Sequence, residues 1–304
     1  MTTRVIAVGY QGDWWPTLTS PFMRDALLGG TIVALAAGLI GYFVVVRNTA
    51  FAAHALAEIG LPGATGAVLV GLPVALGLGV FCVGGALVIG ALGRRAPERD
   101  VATGTVLAMA IGLALFFNSL AATGISTLTN ILFGNLLAIS HEQLVSFAGL
   151  LMLLAASIGF IYRPLLFASI NVQVAEAKGV PVRALSVIFM ALLGLAVTMA
   201  VQAVGTLLLF ALVVTPAATA IMLTARPGFA MLISTVISTV SVWMGLGLST
   251  MFDLPPSFVI VAIACTAWFL ARVANHRVRL SAREPRIDAD HPADPPRAEP
   301  ASSL

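Results

Sequence analysis

His54 and Glu58 are the two residues on which chemistry could rest. In the stretch "AAHALAEIGLPGATGA", residues 52–67, an imidazole and a carboxylate stand four positions apart in otherwise apolar sequence. On a helix, positions i and i+4 are about 40° apart and share one face, so both side chains can converge on one cation. Neutral histidine with a carboxylate suits Zn(II) or Mn(II), and suits Ca(II) or Mg(II) less. The structural alternative is a buried His–Glu hydrogen bond that locks the helix to a neighbour. Gly60, Pro62 and Gly63 follow at once. Pro62 lacks a backbone donor and the glycines let the chain kink, so a helix break beside the pair is expected, as at many transport sites. A tolerated kink, or close packing through small residues, is the other reading.

The surroundings decide how costly that pair is. Of 304 residues, 59% are hydrophobic and 10% charged, and the mean hydropathy is +1.02, which excludes an ordinary soluble domain. A helix crossing a hydrocarbon core of ~30 Å needs roughly 20 residues. Runs of that length fall near 25–46, 52–70, 72–93, 101–121, 143–162, 183–201, 204–225, 229–250 and 256–274. They predict an all-α polytopic membrane protein of about nine transmembrane helices. Only Gly71-Leu72-Pro73 separates the second and third, so eight spans are the alternative. Counted from Asn48, His54 lies roughly 9 Å and Glu58 roughly 15 Å along the second span. An ionisable group at that depth costs about 2.5–3.5 kcal/mol and is a functional candidate by default.

Placing alternate loops on one side gathers Arg47, Arg94, Arg95, Arg99, Arg163, Lys178, Arg183 and Arg226, and leaves Arg4 and Arg24 opposite. This positive-inside asymmetry puts the C-terminus in the cytoplasm and the N-terminus outside. The arginines are therefore read as topology signals and not as a nucleic-acid surface. Residues 1–22 form an extracytoplasmic or interfacial segment, anchored by Trp14 and Trp15 and without the pattern of a signal peptide. Residues 23–275 make the transmembrane domain. Residues 276–304, rich in Pro, Ala and charge, are expected to be a disordered cytoplasmic tail. Cys82 and Cys265 lie in apolar runs and read as small hydrophobes. No internal repeat is evident.

Other polar residues are few. Asn118 and Gln202 could line a polar path, with interhelical hydrogen bonding as the simpler role. His141 and Glu142 precede the fifth span, where capping or contact with a delivery protein are the choices. Lys178, the only lysine, is followed by Gly179 and lacks the Gly-rich loop and Ser/Thr of a phosphate-binding motif. Any ATPase that powers transport must then be another polypeptide, and a cytoplasmic loop must receive its push. The candidate is "NVQVAEAKGVPVRA", residues 171–184, centred on Ala175, Glu176, Ala177, Lys178, Gly179, Val180 and Pro181, with the last three stopping a short surface helix. An ordinary charged turn is the alternative.

In order and spacing, "FMRDALLGGTIVALAAGLIGYFVVVRNTAFAAHALAEIGLPG", "LFGNLLAIS", "YRPLLFASINVQVAEAKGVPV", "AVGTLLLFALVVTPAATA" and "FDLPPSFVI" resemble the permease subunits of ABC-type zinc and manganese importers, the ABC-3 family, over most of residues 22–270. The resemblance implies a type II ABC-importer-like permease fold and a homodimer in membrane lipid. It further implies a cytoplasmic ATPase subunit, an extracytoplasmic metal-binding protein, and a divalent metal carried as substrate with no permanently bound cofactor. "AKGVPV" resembles the family's coupling element. The family usually carries Asp at the position of His54 and His at that of Glu58, so this sequence keeps one imidazole and one carboxylate in reverse order. Zinc-type members with His at the first position lean the reading toward zinc, with manganese and iron open.

Three other functions compete. A cobalamin or iron-siderophore importer shares such a fold but needs a wide pathway and no metal ligands. An intramembrane metalloenzyme needs a third ligand and a general base, usually as His-Glu-x-x-His, where this chain has His-Ala-Leu-Ala-Glu. A structural membrane subunit would make the pair purely a packing feature.

Overall fold

In the computed structural model, which describes Pro16 and residues 20–92, 96–120, 131–134, 136–206 and 208–281, the regular structure is helical. Trp14, Trp15 and the tail beyond Ser281 lie outside these residues. The helices are α1 (Pro21–Val46), α2 (Ala50–Val70), α3 (Val74–Leu92), α4 (Ala96–Leu120), α5 (His141–Ile170), α6 (Val172–Ala177), α7 (Val182–Val204), α8 (Leu209–Leu223), α9 (Pro227–Phe252) and α10 (Pro256–Ser281), with a 3₁₀ turn at Leu136–Ala138. Among the described residues, eight helices are long and apolar enough to cross a membrane.

The seventh of the nine expected spans, 204–225, becomes the 15-residue α8. At 1.5 Å per residue it reaches ~22 Å, short of a bilayer core. The cause is Gly205, whose φ of 90° takes the chain out of the helix after α7. Irregular backbone at this depth is tolerated only inside protein. Here Val204, Gly205 and Thr206 are buried, and the Thr206 N–H donates to the Ile131 carbonyl at 3.1 Å. A methyl on Gly205 or Gly134 would strike the other segment's backbone, so the "LFG" and "AVGT" stretches meet main chain to main chain. The second and third spans separate as expected, because Gly71 ends α2 in the left-handed conformation. At the far end, α10 continues to Ser281 into the region expected as tail, since Arg277, Val278, Arg279 and Leu280 carry no helix breaker.

Burial sorts the helices. In α1, α2 and α7, 67% of the most apolar window is buried, against 17–22% in α4, α5 and α10. The inner helices are seamed by small residues: a methyl on Gly63 would collide with the Gly77 carbonyl, and one on Gly77 with that of Gly63. Helices α2 and α3 thus approach backbone to backbone, as small residues permit in membranes. Large apolar side chains such as Met109, Met152 and Phe160 point away from the bundle. Cys82 lies in the core and donates to the Leu56 carbonyl at 3.2 Å, while Cys265 is exposed.

Candidate functional site

The helix that carries His54 and Glu58 is among the most buried in the protein, which makes its one open stripe informative. Along α2, Phe51, His54, Glu58 and Leu61 recur at helical spacing and keep partial exposure, whereas their neighbours Ala52, Ala53, Ala55, Leu56, Ala57, Ile59 and Gly60 are buried. His54 Nε2 lies 3.6 Å from Glu58 Oε1, with side-chain exposures of 36% and 25%. That separation is too long for a good hydrogen bond. It is close to the ~3.4 Å that separates two ligands bound ~2.1 Å from a tetrahedral ion. The Phe210 ring stands edge-on to the imidazole with centroids 6.3 Å apart and flanks it on one side. His54 Nδ1 is buried with no hydrogen-bond partner. Among the described residues no group of three His, Cys, Asp or Glu side chains converges, so the described part of one copy brings two ligands to this point.

The expected break at Gly60, Pro62 and Gly63 does not form: α2 runs unbroken from Ala50 to Val70 with Pro62 inside it. Pro62 has no N–H to offer the Glu58 carbonyl, so one helical bond beside the site is absent by chemistry. Packing against α3 supports the helix across that gap. Gly60 abuts Cys82 and Leu78, Gly63 abuts Gly77, and the Thr65 hydroxyl donates to the Leu61 carbonyl at 3.0 Å. The two glycines serve the close approach of α2 to α3.

Gln202 and Asn118 separate. Gln202, bonded through Nε2 to the Thr198 carbonyl at 3.0 Å, lines a cavity of about 240 Å³ with Val74, Leu78, Ile131 and Gln143. These residues sit at the α3 start, the α5 start and the α7 end, so the cavity opens on a single face of the bundle. Asn118 is not among its lining residues, and its Oδ1 is buried without a partner. Sequence reasoning passed over Gln143 and Phe210. The cap of α5 comes from residues beside the expected His141 and Glu142: Ser140 Oγ accepts from the Gln143 N–H, and the Gln143 side chain accepts from the Ser140 N–H. The S-x-x-Q spacing signals this capping box. Nothing in the sequence singles out Phe210.

The 171–184 segment folds as a compact hairpin between α5 and α7. Asn171 Oδ1 caps α6 by accepting from the Val174 N–H at 3.1 Å. At the other end the Gly179 N–H donates to Glu176 and the Val180 N–H to Ala175, with Gly179 at φ 79°, a Schellman closure. Ala175 is the buried foot of α6, packed with Ala168 and Leu185. Val172, Val174, Glu176, Ala177 and Lys178 are exposed. A β-branched residue at 179 must adopt a backbone state that costs about 1–2 kcal/mol. Gly179→Val is therefore expected to loosen this hairpin. Endoproteinase Lys-C has one lysine to cut, Lys178, and should cleave the variant several-fold faster than wild type.

Residues 19–275 match the family model described as the ABC 3 transport family. The chain belongs to that family. Its curated relatives include the manganese transport system membrane protein MntC of Halalkalibacterium halodurans, 32% identical over 257 residues and covering 84% of this chain and 87% of that one. Another is the "Probable iron transport system membrane protein" of Haemophilus influenzae, 30% identical over 278 residues, 88% of this chain and 99% of the other. Among solved structures, PsaBC from Streptococcus pneumoniae in complex with Fab superposes with a TM-score of 0.77 at 26% identity, over 88% of this chain and 98% of that chain. As an ABC 3 member the chain is a multi-pass membrane permease, a transport subunit and not an ATPase.

Proposed function

We propose that this ABC 3 permease passes a divalent transition metal through a transient site built on His54 and Glu58, with zinc as the cargo. The observation that carries the reading is the His54–Glu58 pair at 3.6 Å on the single open stripe of a buried helix. Two ligands from one chain make half a tetrahedral site. A second copy facing the same stripe of α2 supplies the other imidazole and carboxylate, which favours a homodimer with the pathway between the two α2 helices. Imidazole and carboxylate ligands suit Zn(II), which favours zinc as the cargo, and they suit Mn(II) as well.

The arginine asymmetry supports an orientation with the α6 face in the cytoplasm and the Gln143/Gln202 cavity outside. A binding protein would deliver the ion at the cavity face. A separate ATPase subunit would dock on the exposed side of α6 and drive alternating access. A second reading is manganese or iron import, favoured by the manganese and iron transport for which the two relatives above are named. The test is ATP-driven uptake into vesicles that hold the permease with its ATPase and binding protein, with labelled zinc competing against manganese and iron. Zinc should be accumulated at an excess of the other two. Uptake of manganese that zinc does not inhibit would assign the second reading.

A further inference from the structure

A second cluster of polar atoms without partners lies away from the His54–Glu58 pair, where α1 turns into α2 and α4 begins. Arg47 sits in that turn, half-buried. Its Nη1 and Nη2 donate to the hydroxyls of Ser169 and Ser186, at 3.2 and 3.1 Å, and its guanidinium lies 5.1 Å from the centre of the Phe189 ring. Its Nε is buried and has no hydrogen-bond partner. Arg99, in the first turns of α4, has both Nε and Nη1 buried without a partner, and so does the Oγ1 of Thr103, one turn further along the same helix and fully buried. Helices α2 and α4 pack side by side from ends on the same face, which brings the two guanidiniums together. Burial first, and then the neighbouring Arg99 charge, pull the Arg47 guanidinium down to about 10.

Two like charges with orphaned donors call for an anion, because unpaired buried charge is costly and buried polar groups are otherwise almost always bonded. Among the described residues no carboxylate forms a salt bridge with either guanidinium: Glu98 and Asp100 flank Arg99 but are exposed, and Asp100 acts on it only through space. We propose that Arg47, Arg99 and Thr103 form a binding site for a phosphate oxyanion, supplied by the head group of an anionic phospholipid. The guanidinium fork matches phosphate oxygens, and basic pockets between membrane helices on the cytoplasmic side hold such head groups. The position is compatible with a lipid: Arg99 stands in the first turns of α4, one of the least buried helices, whose opposite face is open to acyl chains at Val101 and Met109, 72% and 76% exposed. Because Arg47 also grips Ser169 and Ser186, which flank the α6 hairpin, the bound phosphate would tie α4 to that hairpin and to the start of α2.

The permease alone, purified in detergent without ATPase or metal, tests this independently of the transport reading. Native mass spectrometry and thermal unfolding are measured with phosphatidylglycerol, with phosphatidylcholine and with inorganic phosphate. Wild type is expected to retain phosphatidylglycerol over phosphatidylcholine and to gain several degrees in Tm from it. Arg99→Gln should lose both effects, and Thr103→Val should weaken them several-fold. Should Arg99→Gln not fold, Arg99→Lys and Thr103→Val carry the comparison. Stabilisation by inorganic phosphate alone, lost in the variants, would keep the oxyanion site and reassign its source to a free ion. Equal lipid retention and Tm in wild type and variants overturns the proposal. So does an Arg99→Gln protein that binds lipid normally but no longer binds its ATPase, since the anion would then be a carboxylate of that partner.

Discussion

Glu58→Ala is expected to reduce ATP-driven zinc uptake at least about 100-fold, and His54→Ala to do the same. Loss of even outer-shell partners of a metal costs 10–100-fold, and these residues are proposed to touch the ion. Neither substitution should unfold the protein. Both side chains are partly exposed on an open stripe, and their 3.6 Å separation makes no hydrogen bond whose loss would loosen α2. Full-length protein at wild-type levels, with ATP hydrolysis still present but uptake gone, is the expected pattern. A fall in folded protein that matches the fall in uptake would instead assign the pair a packing role. Glu58→Asp, which keeps the charge and shortens the reach, should retain part of the activity.

The second large effect concerns the helix that holds the pair. Gly63 and Gly77 leave no room for a side chain where α2 and α3 touch. Overpacking a core costs typically about 1–3 kcal/mol and occasionally more. A leucine at 63 must push against a main-chain carbonyl that cannot rotate away, so Gly63→Leu belongs at the upper end. The expected result is loss of monodisperse protein on size-exclusion in detergent, or a Tm lowered by several degrees. Gly84→Ala on α3, where an added methyl meets nothing within 4 Å, is the control and should behave as wild type.

These two results separate what a reader of the sequence sees from what the fold adds. The spans are legible because a bilayer demands a length and an apolarity that few other contexts do, and the His54–Glu58 pair is legible because two ionisable groups at helical spacing have no cheap place in lipid. Pro62 misleads for a physical reason. A proline removes one hydrogen bond, but whether the helix breaks depends on the neighbour, and α3 packs its glycines and Cys82 closely against a helix that stays continuous. The shortened α8 is hidden for a similar reason. Its apolar run is long enough to span, and only the contact of Gly205 with the 131–134 segment shows why the helix starts late.

The site's wider setting is likewise a tertiary property. Nothing in the spacing of Phe51, His54, Glu58 and Leu61 shows that this stripe stays open while the rest of α2 is buried, or that Phe210 arrives from α8 to flank the imidazole. Arg47 and Arg99 look in the sequence like two more topology charges. Their missing partners emerge only when α2 and α4 are packed together. The α6 hairpin is intermediate: its capping residues Asn171 and Gly179 can be read directly, whereas the burial of Ala175 that anchors it cannot.

The most direct test is equilibrium binding of radiolabelled zinc to the purified permease in lipid nanodiscs, without ATPase or binding protein. The account predicts one saturable zinc ion for each pair of chains, lost in both His54→Ala and Glu58→Ala. Binding of equal stoichiometry and affinity in wild type and Glu58→Ala would contradict it.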